Sequence, residues 1–169
     1  MAPNGNGTTT ADFTRASTDP ISRSASGISA DATKARVSEL LERLDDAMNE
    51  AKQEVQSDPD LLLPADSTFK QAKSFAMSLH PFSLPLVMCL NDGGICFQWN
   101  EEQGGILTAT LYGDNALVFV ARFGPKDRAT GTTTLRNDTI PESVLVWLKT
   151  YFMPSSKQPW MNTSATVSH

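Results

Sequence analysis

LPLVMCLNDGGICFQWNEEQGGILTATLYGDNALVFVARF, residues 84–123, decides the fold. Apolar runs at 85–90, 95–99, 106–112 and 116–123 are separated by Asn91-Asp92-Gly93-Gly94, Gln103-Gly104-Gly105 and Gly113-Asp114-Asn115. Gly, Asn and Asp tolerate the positive φ of tight hairpins, so each separator is a turn and the stretch is predicted to be four antiparallel strands. Alternation puts Ile95, Phe97 and Trp99 on the core face and Cys96, Gln98 and Asn100 on the other. A two-residue Asp92-Gly93 turn would set Cys89 opposite Cys96 as a hydrogen-bonded pair on that second face. Such pairs hold their Cα atoms about 5.5 Å apart with splayed side chains, a poor frame for a bridge, so reduced thiols are expected. The fourth strand is apolar on both sides, with Leu117, Phe119, Ala121 and Phe123 alternating with Val118 and Val120, which predicts cover on each face.

Upstream, Val37, Leu40, Leu41, Leu44, Met48, Ala51 and Val55 recur at helical steps across residues 30–56. Asp31 or Ser29 is placed to cap the start. A helix of about 26 residues is about 39 Å long, more than a small sheet needs. Its apolar stripe either docks wholly on its own domain or partly projects to pair with another chain. Ser57-Asp58-Pro59-Asp60 ends it, and Leu61-Leu62-Leu63-Pro64 is expected to lie extended and pinned to the core. A second helix, capped by Asp66 or Ser67, buries Phe69, Ala72, Phe75, Ala76 and Leu79 and stops at His80-Pro81. After the strands, residues 124–138 read as a loop with a short fifth strand near 132–135. A last helix starts around Thr139, with Pro141 in its first turn and Val144, Leu145, Leu148, Tyr151 and Phe152 inward. The fold class is therefore α+β: two N-terminal helices, an antiparallel four- or five-stranded meander and a C-terminal helix. Residues 29–153 form one domain. Residues 1–28, rich in Asn, Gly, Thr and Ser, are an expected disordered tail, and 154–169 a flexible one.

The chain has 169 residues, 40% of them hydrophobic and 20% charged, enough for one modest core. A formal charge of −5 opposes nucleic-acid binding and favours a basic protein partner. Asp45, Asp46, Glu50, Glu54, Asp58, Asp60 and Asp66 crowd one segment against the single Lys52. No apolar run approaches the roughly 20 residues that span a bilayer, and residues 1–12 lack the features of a signal peptide. The expected location is the cytoplasm, away from membranes.

Little in the sequence points to catalytic chemistry. Cys89, Cys96 and His80 could in principle make a thiol nucleophile, but no third group orients them, and small buried cysteines commonly fill cores. No metal-ligand spacing or phosphate loop occurs, so neither a metal nor a cofactor is expected. Glu101-Glu102 at a hairpin tip and Lys126-Asp127-Arg128 in a loop read as solvated charges. Trp99 and Trp147 fall at core positions. Trp160, alone in a polar tail, either tucks back onto the domain or docks on a partner.

Pro64-Ala65-Asp66-Ser67, Ala72-Lys73-Ser74-Phe75, Pro85, the run from Asp92-Gly93-Gly94-Ile95 to Trp99, and Leu107-Thr108-Ala109-Thr110-Leu111 follow one another in order. This succession resembles a group of small bacterial proteins in which a helix leads into a hairpin of the form Asp-Gly-Gly-Ile-x-Phe/Leu-x-Trp. Some of these accompany toxin–antitoxin or mobile-element genes. The likeness covers residues 58–123. The group more often has Glu where this chain has Gln98, and the resemblance implies no catalytic residues.

The sequence thus reads as a non-enzymatic protein-binding module of bacterial or phage origin, of antitoxin, immunity or inhibitor type. Its binding residues would be Asp45, Asp46, Glu50, Glu54, Asp58, Asp60 and Trp160. The alternative is a dimeric assembly or chaperone-like component joined through residues 37–55.

Overall fold

The structure is a computed structural model that describes residues 30–136 and 139–154. The elements run α1 (Ala30–Ser57), α2 (Asp66–Ser78), β1 (Leu86–Cys89), β2 (Ile95–Asn100), β3 (Ile106–Leu111), β4 (Ala116–Phe123), β5 (Asp127–Thr134) and α3 (Glu142–Tyr151). The fold is α+β. All five strands are antiparallel, and their spatial order is their chain order.

The helices share one face of the sheet. Val87, Ile95, Phe97, Trp99, Leu107, Ala109, Leu111, Leu117, Phe119, Ala121 and Phe123 point into a core closed by Leu40 and Leu44 of α1, Phe75 and Ala76 of α2, and Val144 and Leu148 of α3. Each large apolar side chain fully withdrawn from water contributes roughly 1.5–3 kcal/mol. Trp99 adds a polar anchor, its indole N–H donating to the Ser83 carbonyl at 2.8 Å. In α1 the buried stripe is Leu40, Leu44, Ala47, Met48 and Ala51, so it packs on its own domain, while the first ten residues of the helix bury none.

No helix of the described residues lies over the opposite face of the sheet. Strand pairing lines it with Leu86 and Met88, then Cys96 and Gln98, then Ile106, Thr108 and Thr110, then Val118 and Val120, and last the threonines of β5. The described residues therefore do not supply the expected cover on both sides of β4: Val120 is 42% exposed. Threonine and valine favour a pleated, half-solvated surface, so an apolar alternation in β4 needs no second layer.

Local chemistry corrects several boundaries. The first hairpin closes through three residues, not two, with the Gly93 N–H donating to the Leu90 carbonyl and the Leu90 N–H to the Gly94 carbonyl. Gly93 holds φ +82°, the left-handed residue of a bulged three-residue loop. Register consequently shifts by one: Cys89 faces Ile95 and Cys96 faces Met88. The two cysteines lie on opposite faces of the sheet, against the expectation that they pair across it.

The fifth strand is twice as long as expected, because its eight residues need few apolar contacts at the sheet edge. Ala65 occupies the cap position of α2 with no side-chain cap bond, so Asp66 and Ser67 sit inside the helix. Asp31 likewise lies within the first turn of α1, and Ser29 is outside the described residues. Pro141 stands at the cap of α3, two residues beyond the expected start at Thr139. The segment after α1 is held by backbone rather than by leucines: the Leu62 N–H donates to the Asn91 carbonyl at 2.9 Å while its side chain is 62% exposed.

Candidate functional site

The acidic segment lies on the outer side of α1. Residues four apart stack along a helix, so Glu42, Asp46, Glu50 and Glu54 form one ridge, and all four are exposed. Each neighbouring pair of like charges costs about 0.2–0.5 kcal/mol at this spacing. Glu54 also lies in the last turn, where the helix dipole is negative and no basic residue offsets it.

The other acidic residues separate from this ridge. Asp45 turns toward α2, where Lys73 Nζ pairs with its Oδ1 at 3.1 Å. Asp58 and Asp60 lie in the turn after α1, the Asp60 N–H donating to Asp58 Oδ1 at 3.1 Å. Glu54 and Asp58 share the wall of a hollow of about 510 Å³ at the end of α1. Among the described residues, the ion pairs are Arg43 with Glu39 and Lys73 with Asp45, and neither involves the ridge from Glu42 to Glu54. Trp160 lies outside the described residues, as do the expected tail 1–28 and all of the expected tail 154–169 but its first residue.

Neither thiol has the environment of a nucleophile. Burial raises Cys89 above the ordinary thiol range, and the carboxylates of Glu50 and Glu54 raise it further. Burial also raises Cys96, partly offset by a hydrogen bond with Thr110. Reactive cysteines are driven the other way, toward the thiolate, by nearby cations.

A different cluster went unread in the sequence. The β2–β3 hairpin, the β4–β5 turn and the end of α3 meet around a hollow of about 370 Å³ bordered by Glu101, Phe123, Asp127 and Tyr151. Phe123 stacks on Tyr151, with ring centroids 3.8 Å apart and planes at 7°, and on Trp147 at 5.4 Å and 10°. The Tyr151 hydroxyl donates to Asp127 Oδ2 at 3.4 Å. Gly105 is buried beside this stack, and a Cβ there would collide with the Phe123 ring. The only signal in the sequence was aromatic spacing, Trp147 and Tyr151 being one helical turn apart.

No helix among the described residues is long and apolar enough to cross a membrane. No group of three or more His, Cys, Asp or Glu able to hold a metal ion occurs among the described residues. The chain matches no protein-family model, no curated protein and no solved structure.

Proposed function

We propose that this chain is a non-enzymatic protein-binding module of bacterial or phage origin, of the antitoxin, immunity or inhibitor type, that engages a basic partner through the outer side of α1. The observation that carries the reading is the ridge Glu42, Asp46, Glu50 and Glu54. These four exposed carboxylates repel one another, and the ion pairs of the described residues leave them uncompensated. A cationic surface laid along the ridge would relieve that repulsion and steer association from a distance. Asp58 and Asp60 extend the negative field past the helix end.

The test is affinity capture from the source cell at low and at raised salt, beside a variant carrying Asp46→Asn, Glu50→Gln and Glu54→Gln. A defined basic protein, retained at low salt and lost both with salt and in the variant, is the expected result. A partner held equally by the variant refutes the ridge as the binding surface.

The second reading is a dimeric assembly or chaperone-like component; burial of Leu40, Leu44, Met48 and Ala51 in the chain's own core weighs against residues 37–55 as its seam. The sheet face that no helix of the described residues covers, with Leu86 52% and Val120 42% exposed, is the surface that favours it. Five strands of about six residues cover roughly 480 Å² in projection, from the usual strand spacing and rise. Standard interfaces use about 800 Å² per partner, so this reading ranks second. Light scattering on the Val120→Asp variant tests it; a dimer that survives the substitution, or a monomer in both proteins, removes it.

A further inference from the structure

We infer that the hollow between the β2–β3 hairpin, the β4–β5 turn and the end of α3 is a binding site for a planar guanidinium group, presented by an arginine side chain of a partner. The inference rests on the reading of this chain as a binder of basic proteins and locates a second, separate point of contact. Its walls differ in kind from the α1 ridge. Two carboxylates, Glu101 of the β2–β3 turn and Asp127 at the start of β5, border one cavity of about 370 Å³. The same cavity has aromatic walls at Phe123 and Tyr151, which lie parallel to each other and to Trp147 within 14°.

Guanidinium is the side-chain cation that suits both features. It is flat, weakly hydrated and forked, so it stacks on a ring while its N–H groups reach carboxylate oxygens. The last turn of α3, which also carries Lys149, ends at Tyr151 with the negative end of the helix dipole. Both carboxylates are already oriented. Glu101 Oε2 accepts from the Gln103 N–H at 3.0 Å, and Asp127 Oδ2 accepts from the Tyr151 hydroxyl. Each keeps a second oxygen for a ligand. No ion pair reaches either carboxylate among the described residues, although Lys126 and Arg128 flank Asp127 in the chain. The Tyr151 phenol is raised by partial desolvation and then by the carboxylates of Asp127 and Glu101. A metal ion suits the site less, since among the described residues no third His, Cys, Asp or Glu joins the two carboxylates.

The experiment is a titration of the full chain with N-acetyl-arginine methylamide, followed by amide and indole NMR shifts. Saturable changes at Gly105, Asp127, Tyr151 and the Trp147 indole are expected. They should weaken several-fold in Glu101→Gln and in Asp127→Asn, the one at a half-exposed turn residue and the other at the exposed first residue of β5, so that either change leaves the core intact. The lysine counterpart should bind several-fold more weakly. An arginine-centred peptide that binds more tightly than the blocked amino acid supports a protein source for the cation, whereas agmatine binding as tightly as the peptide supports the guanidinium chemistry with a free small molecule as its source. The inference is overturned by the absence of saturable shifts, by equal binding of the lysine probe, or by shifts that persist in both carboxylate variants. The Asp46/Glu50/Glu54 variant separates the two ideas: it should lose the partner and still bind the arginine probe.

Discussion

Gly105→Ala offers a test in which the general trend and this structure predict opposite signs. Gly105 is not among the positive-φ glycines, so by backbone entropy alone an alanine there should stabilise the protein by about 0.4–1 kcal/mol. The local packing says otherwise. A Cβ built on Gly105 would stand 2.6 Å from Phe123 Cε1 and 3.2 Å from its Cγ, and closer still to Cδ1. Phe123 cannot readily yield: it is 7% exposed and stacked on Tyr151 and Trp147. Overpacking of a filled site costs about 1–3 kcal/mol, so after the entropic gain the net loss should be about 1–2 kcal/mol. Urea unfolding reads this as a lower midpoint at unchanged slope. A companion Phe123→Leu variant loses packing by itself, but adding Gly105→Ala to it should cost far less than in the native background. The loss in the double variant is then smaller than the sum of the two single losses, by an amount of the order of the clash. A Gly105→Ala protein as stable as the parent, or additive losses in the double variant, would show that the hairpin does not press on the Phe123 stack.

Neutralising the α1 ridge should stabilise the isolated protein. Asp46→Asn, Glu50→Gln and Glu54→Gln together remove three repulsive pairs, so a gain of about 1 kcal/mol is expected at low salt and a smaller one at high salt, measured by urea unfolding. Both thiols hold their protons more tightly folded than unfolded. Their contribution is therefore complete below the ordinary thiol value of 9.0 and is lost as pH rises through the raised folded values. The parent should lose stability above about pH 9 more steeply than a Cys89→Ala, Cys96→Ala variant, and parallel pH profiles would contradict this. Mild oxidation should yield no intramolecular disulfide, since the thiols lie on opposite faces of the sheet. A monomeric product lighter by two hydrogens in intact-mass analysis would refute the assigned register.

Much of the helical layer was legible because helical periodicity reports burial directly. Leu40, Leu44, Met48 and Ala51 in α1, and Ala72, Phe75, Ala76 and Leu79 around α2, all read correctly as core from their spacing. The acidic segment was legible as a composition and not as a surface. Counting carboxylates treated Asp45 and Asp46 alike, whereas a turn of 100° between them sends one to Lys73 and leaves the other on the ridge. The β5 strand was read as mostly loop because its residues, Asp127 to Thr134, carry almost no apolar signal. An edge strand gains its stability from backbone pairing to a good neighbour, and β4 supplies eight paired positions.

The misplaced cysteines show why strand faces are harder to read than strands. Either hairpin closure leaves Ile95, Phe97 and Trp99 on the core face, so the pattern of β2 alone cannot distinguish them. What differs is the partner strand: an extra loop residue moves every β1 side chain to the other side, taking Cys89 to the helix face with Val87. The deciding signal was the doubled glycine. Gly93 takes the left-handed position that ends a three-residue loop, and Gly94 follows where an added Cβ would stand 2.9 Å from Tyr112 Cε1. The next hairpin repeats the arrangement. Gly104 has φ +90°, its N–H donates to the Glu101 carbonyl, and Gly105 yields space to Phe123. A Gly-Gly pair at the end of a hairpin thus carries two separate constraints here, one on backbone sign and one on side-chain clearance. The second of these lets an aromatic stack come up against the turn, and it is at that junction that the guanidinium site is formed.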